Sequence, residues 1–355
     1  MLGYCTNVHS GDSFVEVVEN LTTYSSAVQR NLQKPLGVGL WLSDKTTHEI
    51  DIFLLKDTLQ ECNLQVFTLN GFPFSNFHQD VVRHQVYQPD WSQEARLSYT
   101  IRLAHILSEI TSQDDAGIST LPLGWKDASF SNEPCAVQLR LCANELEKIE
   151  QETGKCIHLD IETEPGCRLQ TSKDLSTLFN EQFNDDEQIR RYIRVCHDTC
   201  HAAVMRESAE ECVSNYQNAG LSIGKVQFSS AIEFDLEQAN KASFILEEQK
   251  YLHQSSVQTE NEILFFEQFS DVPNDLHSGN CRVHFHVPIH RRHFGELQTT
   301  QEDLIKSIPV LKEAGATDWE VETYTLSVTP KLLQGDEIVD SITKELQWAT
   351  MQLGQ

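Results

Sequence analysis

Basic side chains are scarce in this chain. Lys and Arg number 27 against 53 Asp and Glu, a formal charge of −26. Phosphate binding needs a positive stripe, so this balance excludes a nucleic-acid face. Long apolar runs are also missing: none approaches the roughly 20 residues that cross a bilayer, which excludes membrane insertion. The opening MLGYCTNVHSG lacks the basic-then-apolar pattern of a secretory signal. Internal repeats and low-complexity linkers are absent as well. Cysteine is not scarce, but the ten residues are scattered and most sit in apolar stretches, as around Cys156, Cys196 and Cys281. A core built from 355 residues needs no disulfides. They read as reduced thiols of a cytoplasmic protein.

What is present is alternation. Strand-like runs at 2–9, 36–43, 64–71, 116–125, 156–166, 192–198, 225–232 and 318–326 are separated by amphipathic stretches such as FVEVVENLTTYSSAVQRNL and EARLSYTIRLAHILSEI. Eight strand–helix units in succession predict an α/β fold, a (β/α)8 TIM barrel forming a single domain over 1–355. The longest departure, about 240–295, includes the polar LHQSSVQTENE and reads as part helix, part excursion over the C-terminal face.

Side-chain parity sharpens this picture, because successive strand residues face opposite ways. Ile157, Leu159 and Ile161 share one face, and His158, Asp160 and Glu162 the other. The same split puts Arg194, Cys196 and Asp198 together, then Lys225, Gln227 and Ser229, then Glu320 and Glu322. Four late strands thus end in inward polar groups, Glu162, Asp198, Gln227 and Glu322, at the face where barrel active sites lie. Carboxylates converging there repel one another unless a divalent cation neutralises them. Within CHDTCH (196–201), the i, i+4 Cys and His pairs mimic a helical metal clip. Parity instead makes Asp198 the strand-end ligand and leaves His197, Cys196 and Cys200 to packing. In RVHFHVPIH, His284 and His286 face one side.

Asp-Thr-Cys-His (198–201) after a strand, a preceding strand ending in Glu162 and a last strand ending in Glu322-Thr323 resemble the xylose-isomerase-like barrel superfamily. That superfamily includes sugar isomerases and epimerases and the endonuclease IV type of DNA-repair enzyme. LGYCTNVHSGD, IETEPGC, CHDTCHAAV, RVHFHVPIH and ETYTLSV, in that order, resemble the EboE family of metabolite traffic proteins. The resemblance implies a first metal site made of Glu162, Asp198, the position of Gln227 and Glu322. Gln227 stands where the superfamily has His, and a carboxamide oxygen suits Mg²⁺ or Mn²⁺ better than Zn²⁺. The endonuclease branch implies a second site at His201, His284 and His286, where three imidazoles with water would suit zinc. Two histidines that the endonuclease draws from its third and fourth strands have no match here; Asn70, Phe72 and Trp125 stand in those segments.

The resulting expectation is a metal-dependent isomerase or epimerase of a sugar-phosphate or polyol metabolite in a secondary-metabolite pathway. Glu162 and Glu322 would serve as catalytic carboxylates. His9, Trp41, Phe72, Trp125 and Arg168 are candidate substrate contacts: an inward strand end, aromatic walls and a clamp for an anionic group. Two alternatives stand beside it, a metabolite binder without turnover and a di-metal phosphoester hydrolase. The metal is Mn, Mg or Zn, and the partner is a small-molecule metabolite.

Overall fold

Seven strands, β1 (Leu2–Cys5), β2 (Leu36–Trp41), β3 (Leu64–Asn70), β4 (Asp115–Thr120), β5 (Cys156–Glu162), β6 (Ile193–Asp198) and β7 (Ile223–Phe228), run parallel side by side, with helices packed outside them. The computed structural model describes residues 1–79, 81–184, 186–329 and 336–354. Six more strands follow: β8 (Ile232–Asp235), β9 (Ser255–Gln258), β10 (Ile263–Phe266), β11 (Asn280–Val283), β12 (His293–Phe294) and β13 (Leu297–Thr299). Then β14 (Trp319–Val321) slots between β7 and β1 and closes the barrel.

The outward faces of the strands build the main core. Ile157, Leu159 and Ile161 on β5 are fully buried, packed with helix residues such as Leu139, Leu175 and Phe179. Helix ends follow local chemistry. Thr171 and Asp174 form a reciprocal capping box at the start of the helix Ser172–Gln182. The helix Asn132–Thr153 ends at Gly154, whose φ of 75° is the left-handed conformation glycine adopts at no steric cost.

The barrel interior departs from the usual aliphatic filling. Lys225 pairs with Glu320, both buried. His158 bridges Asp160 at 2.6 Å and Asp115 at 3.1 Å. Burial opposes the imidazolium, but Asp160 and Asp115 outweigh it and raise the His158 pKa. Glycines make the room. A Cβ on Gly39 would lie 1.5 Å from Glu320 Oε1, and one on Gly224 would lie 1.9 Å from Asp160 Oδ1.

The excursion differs from expectation. It runs from Ile232 to Thr299 as a six-stranded sheet in the order β10-β9-β11-β8-β13-β12, with its own apolar cluster including Phe234, Val257, Val283, Phe285 and Phe294. The polar LHQSSVQTENE, read as part helix, part excursion, contains β9. Its serines are buried because their hydroxyls are satisfied: Ser255 donates to the His253 carbonyl at 2.9 Å, and Ser256 accepts from Arg206 at 3.0 Å. Most barrel strands end earlier than expected, 156–166 for instance at Glu162. The run 2–9 is strand only to Cys5, 116–125 only to Thr120, and 318–326 only over Trp319–Val321, followed by a 3₁₀ turn at Tyr324–Val328. All ten cysteines are unpaired. Among the described residues, no helix is long and apolar enough to cross a membrane.

Candidate metal centre

Glu162 ends β5, Asp198 ends β6 and Glu322 follows β14, and all three are buried at the C-terminal end of the barrel. One carboxylate oxygen from each lies within 4.8 Å of the others. Gln227 is the register partner of Asp198 and shares its inward parity. Its carboxamide is fully buried, yet neither Oε1 nor Nε2 has a hydrogen-bond partner, and Asp198 Oδ2 has none either. Leaving such groups unsatisfied costs about 1–3 kcal/mol each. The orphaned oxygens and the three clustered acids therefore fit a divalent cation, which would satisfy all of them together.

The remaining lone pairs are tied down by neighbours. Glu322 Oε1 accepts from Asn7 at 2.6 Å and Asn70 at 3.0 Å. Asp198 Oδ1 accepts from Ser229 Oγ at 2.7 Å and from the His201 backbone N–H at 2.8 Å, so it also caps the helix Thr199–Val204 that carries His201. Burial, with Glu322 and Asp198 alongside, raises Glu162 well above the carboxylate range. Burial and then Asp198 push Glu322 to about 8. Asp198 moves the other way: burial works against its charge, but His201, His286 and the two hydrogen bonds prevail.

Beside this cluster stand three buried imidazoles. His201 Nδ1 donates to the Thr163 carbonyl at 2.9 Å, His286 Nδ1 to the Glu322 carbonyl at 3.0 Å and His284 Nδ1 to Gln254 Oε1 at 2.8 Å. Gln254 is oriented by its own Nε2, which donates to the Pro165 carbonyl at 2.9 Å. Each ring therefore carries a proton on Nδ1 and turns its Nε2 toward a neighbouring imidazole. The Nε2 atoms of His201 and His284 are 3.0 Å apart, and those of His284 and His286 are 3.2 Å apart. Burial lowers His286 to about 4 and, with His201 and His286 nearby, lowers His284 well below its ordinary value. Imidazoles whose Nδ1 protons are held by backbone or amide oxygens and whose Nε2 atoms converge are the arrangement a bound transition metal uses. Asp198 lies within 4.8 Å of His201 and His286 ligand atoms, so the two clusters adjoin.

Both open onto one cleft, through Glu162 and Glu322 of the first cluster and His201 and His284 of the second. Of the expected substrate contacts, Phe72 lines it. The others do not. His9 stacks on Tyr24 at 4.4 Å and bonds the Tyr4 hydroxyl at 3.1 Å, because the chain leaves β1 at Cys5 and turns it toward the first helix. Trp41 donates its indole N–H to the Pro73 carbonyl at 3.0 Å and meets Phe77 edge-on, backing the wall from behind. Trp125 packs behind Tyr87 at 5.0 Å, since the turn at Leu123 and Gly124 redirects it. Arg168 lies over the Phe130 ring at 4.6 Å and bonds Asn132, away from the cleft. Sequence reasoning missed Asn7 as the Glu322 partner, although it shares the inward parity of Gly3 and Cys5. It also missed Glu164, two residues beyond Glu162, which lines the cleft and accepts from Tyr87 at 2.8 Å. Gln254 lies in a polar stretch that gave no signal.

The sequence matches no protein-family model and no curated protein. Solved structures match it along almost its whole length. A structure of the IOLI protein with a binding zinc atom aligns with a TM-score of 0.53 at 11% identity, covering 99% of this chain and 98% of that one. D-allulose 3-epimerase from Methylomonas sp., in complex with D-allulose, aligns at 0.52 and 12%, covering 99% and 96%. A xylose isomerase domain protein from Alicyclobacillus acidocaldarius aligns at 0.52 and 12%, covering 100% and 99%. At such identities the likeness speaks for the fold alone, and with the closed eight-stranded ring it shows a xylose-isomerase-like TIM barrel.

Proposed function

We propose that the protein is a metal-dependent isomerase or epimerase of a small polyol or hydroxyketone metabolite, with the secondary-metabolite role that the EboE resemblance implies. One observation carries this reading. Three buried carboxylates converge at the C-terminal end of the barrel, beneath a cleft, and the unsatisfied carboxamide of Gln227 lies in register with one of them, Asp198. The D-allulose epimerase and zinc-bearing IOLI structures, which share the fold, support it. Glu162, Asp198, Gln227 and Glu322 would hold the first cation, and His201, His284 and His286 a second. A cation at the first site would supply Lewis-acid polarisation of a substrate carbonyl flanked by a hydroxyl.

The chain's own groups do the rest. Glu162 and Glu322 both line the cleft and would move a proton between neighbouring substrate carbons. Asn7 and Asn70 fix Glu322 through Oε1 and leave Oε2 for this work. Phe72, Tyr87 and Tyr251 wall the cleft and exclude water. The ten unpaired cysteines support a reducing, cytoplasmic compartment.

A second reading, metal-assisted phosphoester hydrolysis, is favoured by the converging Nε2 atoms, which suit a second cation. Elemental analysis of the purified protein, joined to substrate-screening in D₂O, separates these readings. One metal lost in Glu162→Gln, with deuterium entering the product carbon, is the expected result. Two metals with phosphate release favour hydrolysis. Metal binding without turnover or exchange leaves a metabolite binder, and no metal under any supplementation sinks both enzyme readings.

A further inference from the structure

The metal centre accounts for the floor of the cleft; its walls carry separate information about the substrate. Phe72, Phe77, Val86, Tyr87, Tyr251 and Leu252 form a continuous apolar and aromatic enclosure above the floor. Two segments roof it together: the Val82 and Arg83 backbone N–H groups both donate to the Lys250 carbonyl, at 2.8 and 3.0 Å. Among the described residues that line the cleft, the one basic side chain besides the histidines is Arg83. Its guanidinium is engaged at the rim by the carbonyl and side-chain oxygens of Gln249. The lining carboxyls, by contrast, are Glu162, Glu164 and Glu322. A phosphate or carboxylate seated among these walls would therefore lose its water to hydrocarbon, with Arg83, already turned to Gln249 at the rim, the one guanidinium in the lining. A flat apolar body would be welcome there, since aromatic faces offer large contact area at defined geometry. The Tyr251 hydroxyl, buried in the same lining and without a hydrogen-bond partner, offers one neutral polar contact.

We infer that the cleft takes a neutral vicinal diol or hydroxyketone carried on a flat apolar body, such as an aromatic ring, in preference to a phosphorylated or carboxylated sugar. This rests on the metal-centre reading for the diol end, while the body preference stands on the walls alone.

The test uses two probes that share a vicinal diol and differ in body, 1-phenyl-1,2-ethanediol and glycerol 3-phosphate. Binding of each to the full-length protein is measured by calorimetry in excess Mn²⁺, and metal content is determined on the same sample. The expected result is at least about tenfold tighter binding of the phenyl diol. In Val86→Arg, a half-buried position at the mouth, the ratio should narrow or reverse, because a cation now lines the wall. Equal or tighter binding of glycerol 3-phosphate to the unaltered protein overturns the inference. So does a phenyl preference that Val86→Arg leaves unchanged, which would place recognition elsewhere. A sample that holds no metal refutes the metal-centre reading instead, and the affinity ratio still reports on the walls.

Discussion

His201 and His284 meet Nε2 to Nε2 at 3.0 Å, and the Nδ1–H of each is held by an oxygen that only accepts. Two lone pairs at that distance repel unless a cation stands between them. Zinc bonded to imidazoles at about 2.0–2.1 Å brings its ligand nitrogens to a comparable separation. The hydrogen bonds that would orient these rings as zinc ligands are already in place.

Gln254 is the most economical residue with which to test this, since it holds His284 without touching the proposed ion. Gln254→Leu should weaken metal retention at the histidine site by about 10–100-fold in a chelator competition. Metal bound by Glu162, Asp198 and Glu322 should be unaffected. Equal loss at both sites would mean that Gln254 supports the fold and not the tautomer.

Asn7 and Asn70 both donate to Glu322 Oε1. Asn7→Asp replaces a donor with a like charge, so Glu322 should swing or protonate. First-site metal affinity should fall by about tenfold or more, and turnover with it, while circular dichroism stays unchanged. Retained metal and activity would remove Glu322 from the ligand set.

Glu345 gives a pH signature away from the metal. Its Oε1 accepts from the Ile289 N–H at 3.0 Å and Thr323 Oγ1 at 2.7 Å, and Oε2 has no partner. Burial raises its pKa from 4.5 to about 7. A carboxyl raised in the folded state contributes stability that is full below the unfolded value and is lost as pH climbs through the folded one. Stability should therefore fall between about pH 4.5 and 7, by on the order of 3 kcal/mol. Glu345→Gln keeps the accepting oxygen and should abolish that fall, so denaturation midpoints of the two proteins should agree in acid and diverge above neutrality.

In the lower barrel, Lys225 and Glu320 form a fully buried pair. Lys225→Met strands the carboxylate and should cost about 3–5 kcal/mol in urea denaturation. The double variant Lys225→Met/Glu320→Leu should recover most of that loss, because an apolar pair replaces the ionic one at little net cost. A double variant as unstable as the single would show that packing against Gly39, and not the unpaired charge, sets the penalty.

The barrel was legible because its strands repeat every two residues. Ile157, Leu159 and Ile161 had to face helices, which forced Asp160 and Glu162 inward, and the same parity aligned Asp198 and Gln227 with them. Parity says which side a residue takes, but only while the chain stays a strand. His9, Trp125 and Arg168 all lie past the end of one, where a turn resets direction. His284 and His286 were readable as sharing a face, though nothing in RVHFHVPIH shows that the barrel mouth covers it. Strand β9 escaped notice because Ser255 and Ser256 are buried with satisfied hydroxyls, leaving Val257 as its one apolar signal.

The position of the excursion has a consequence for how the molecule comes together. The chain leaves the barrel after β7, builds a second sheet and returns only then to supply β14, the strand that seals the ring. Ring closure must therefore wait for the longest detour in the chain, and non-local pairings of this kind slow folding. The histidines carried by the detour and the carboxylate that follows the sealing strand adjoin in the closed ring, where His286 Nδ1 donates to the Glu322 carbonyl. A metal that bridges them would favour the closed ring over every open form, so folding and loading of this protein should be a single event.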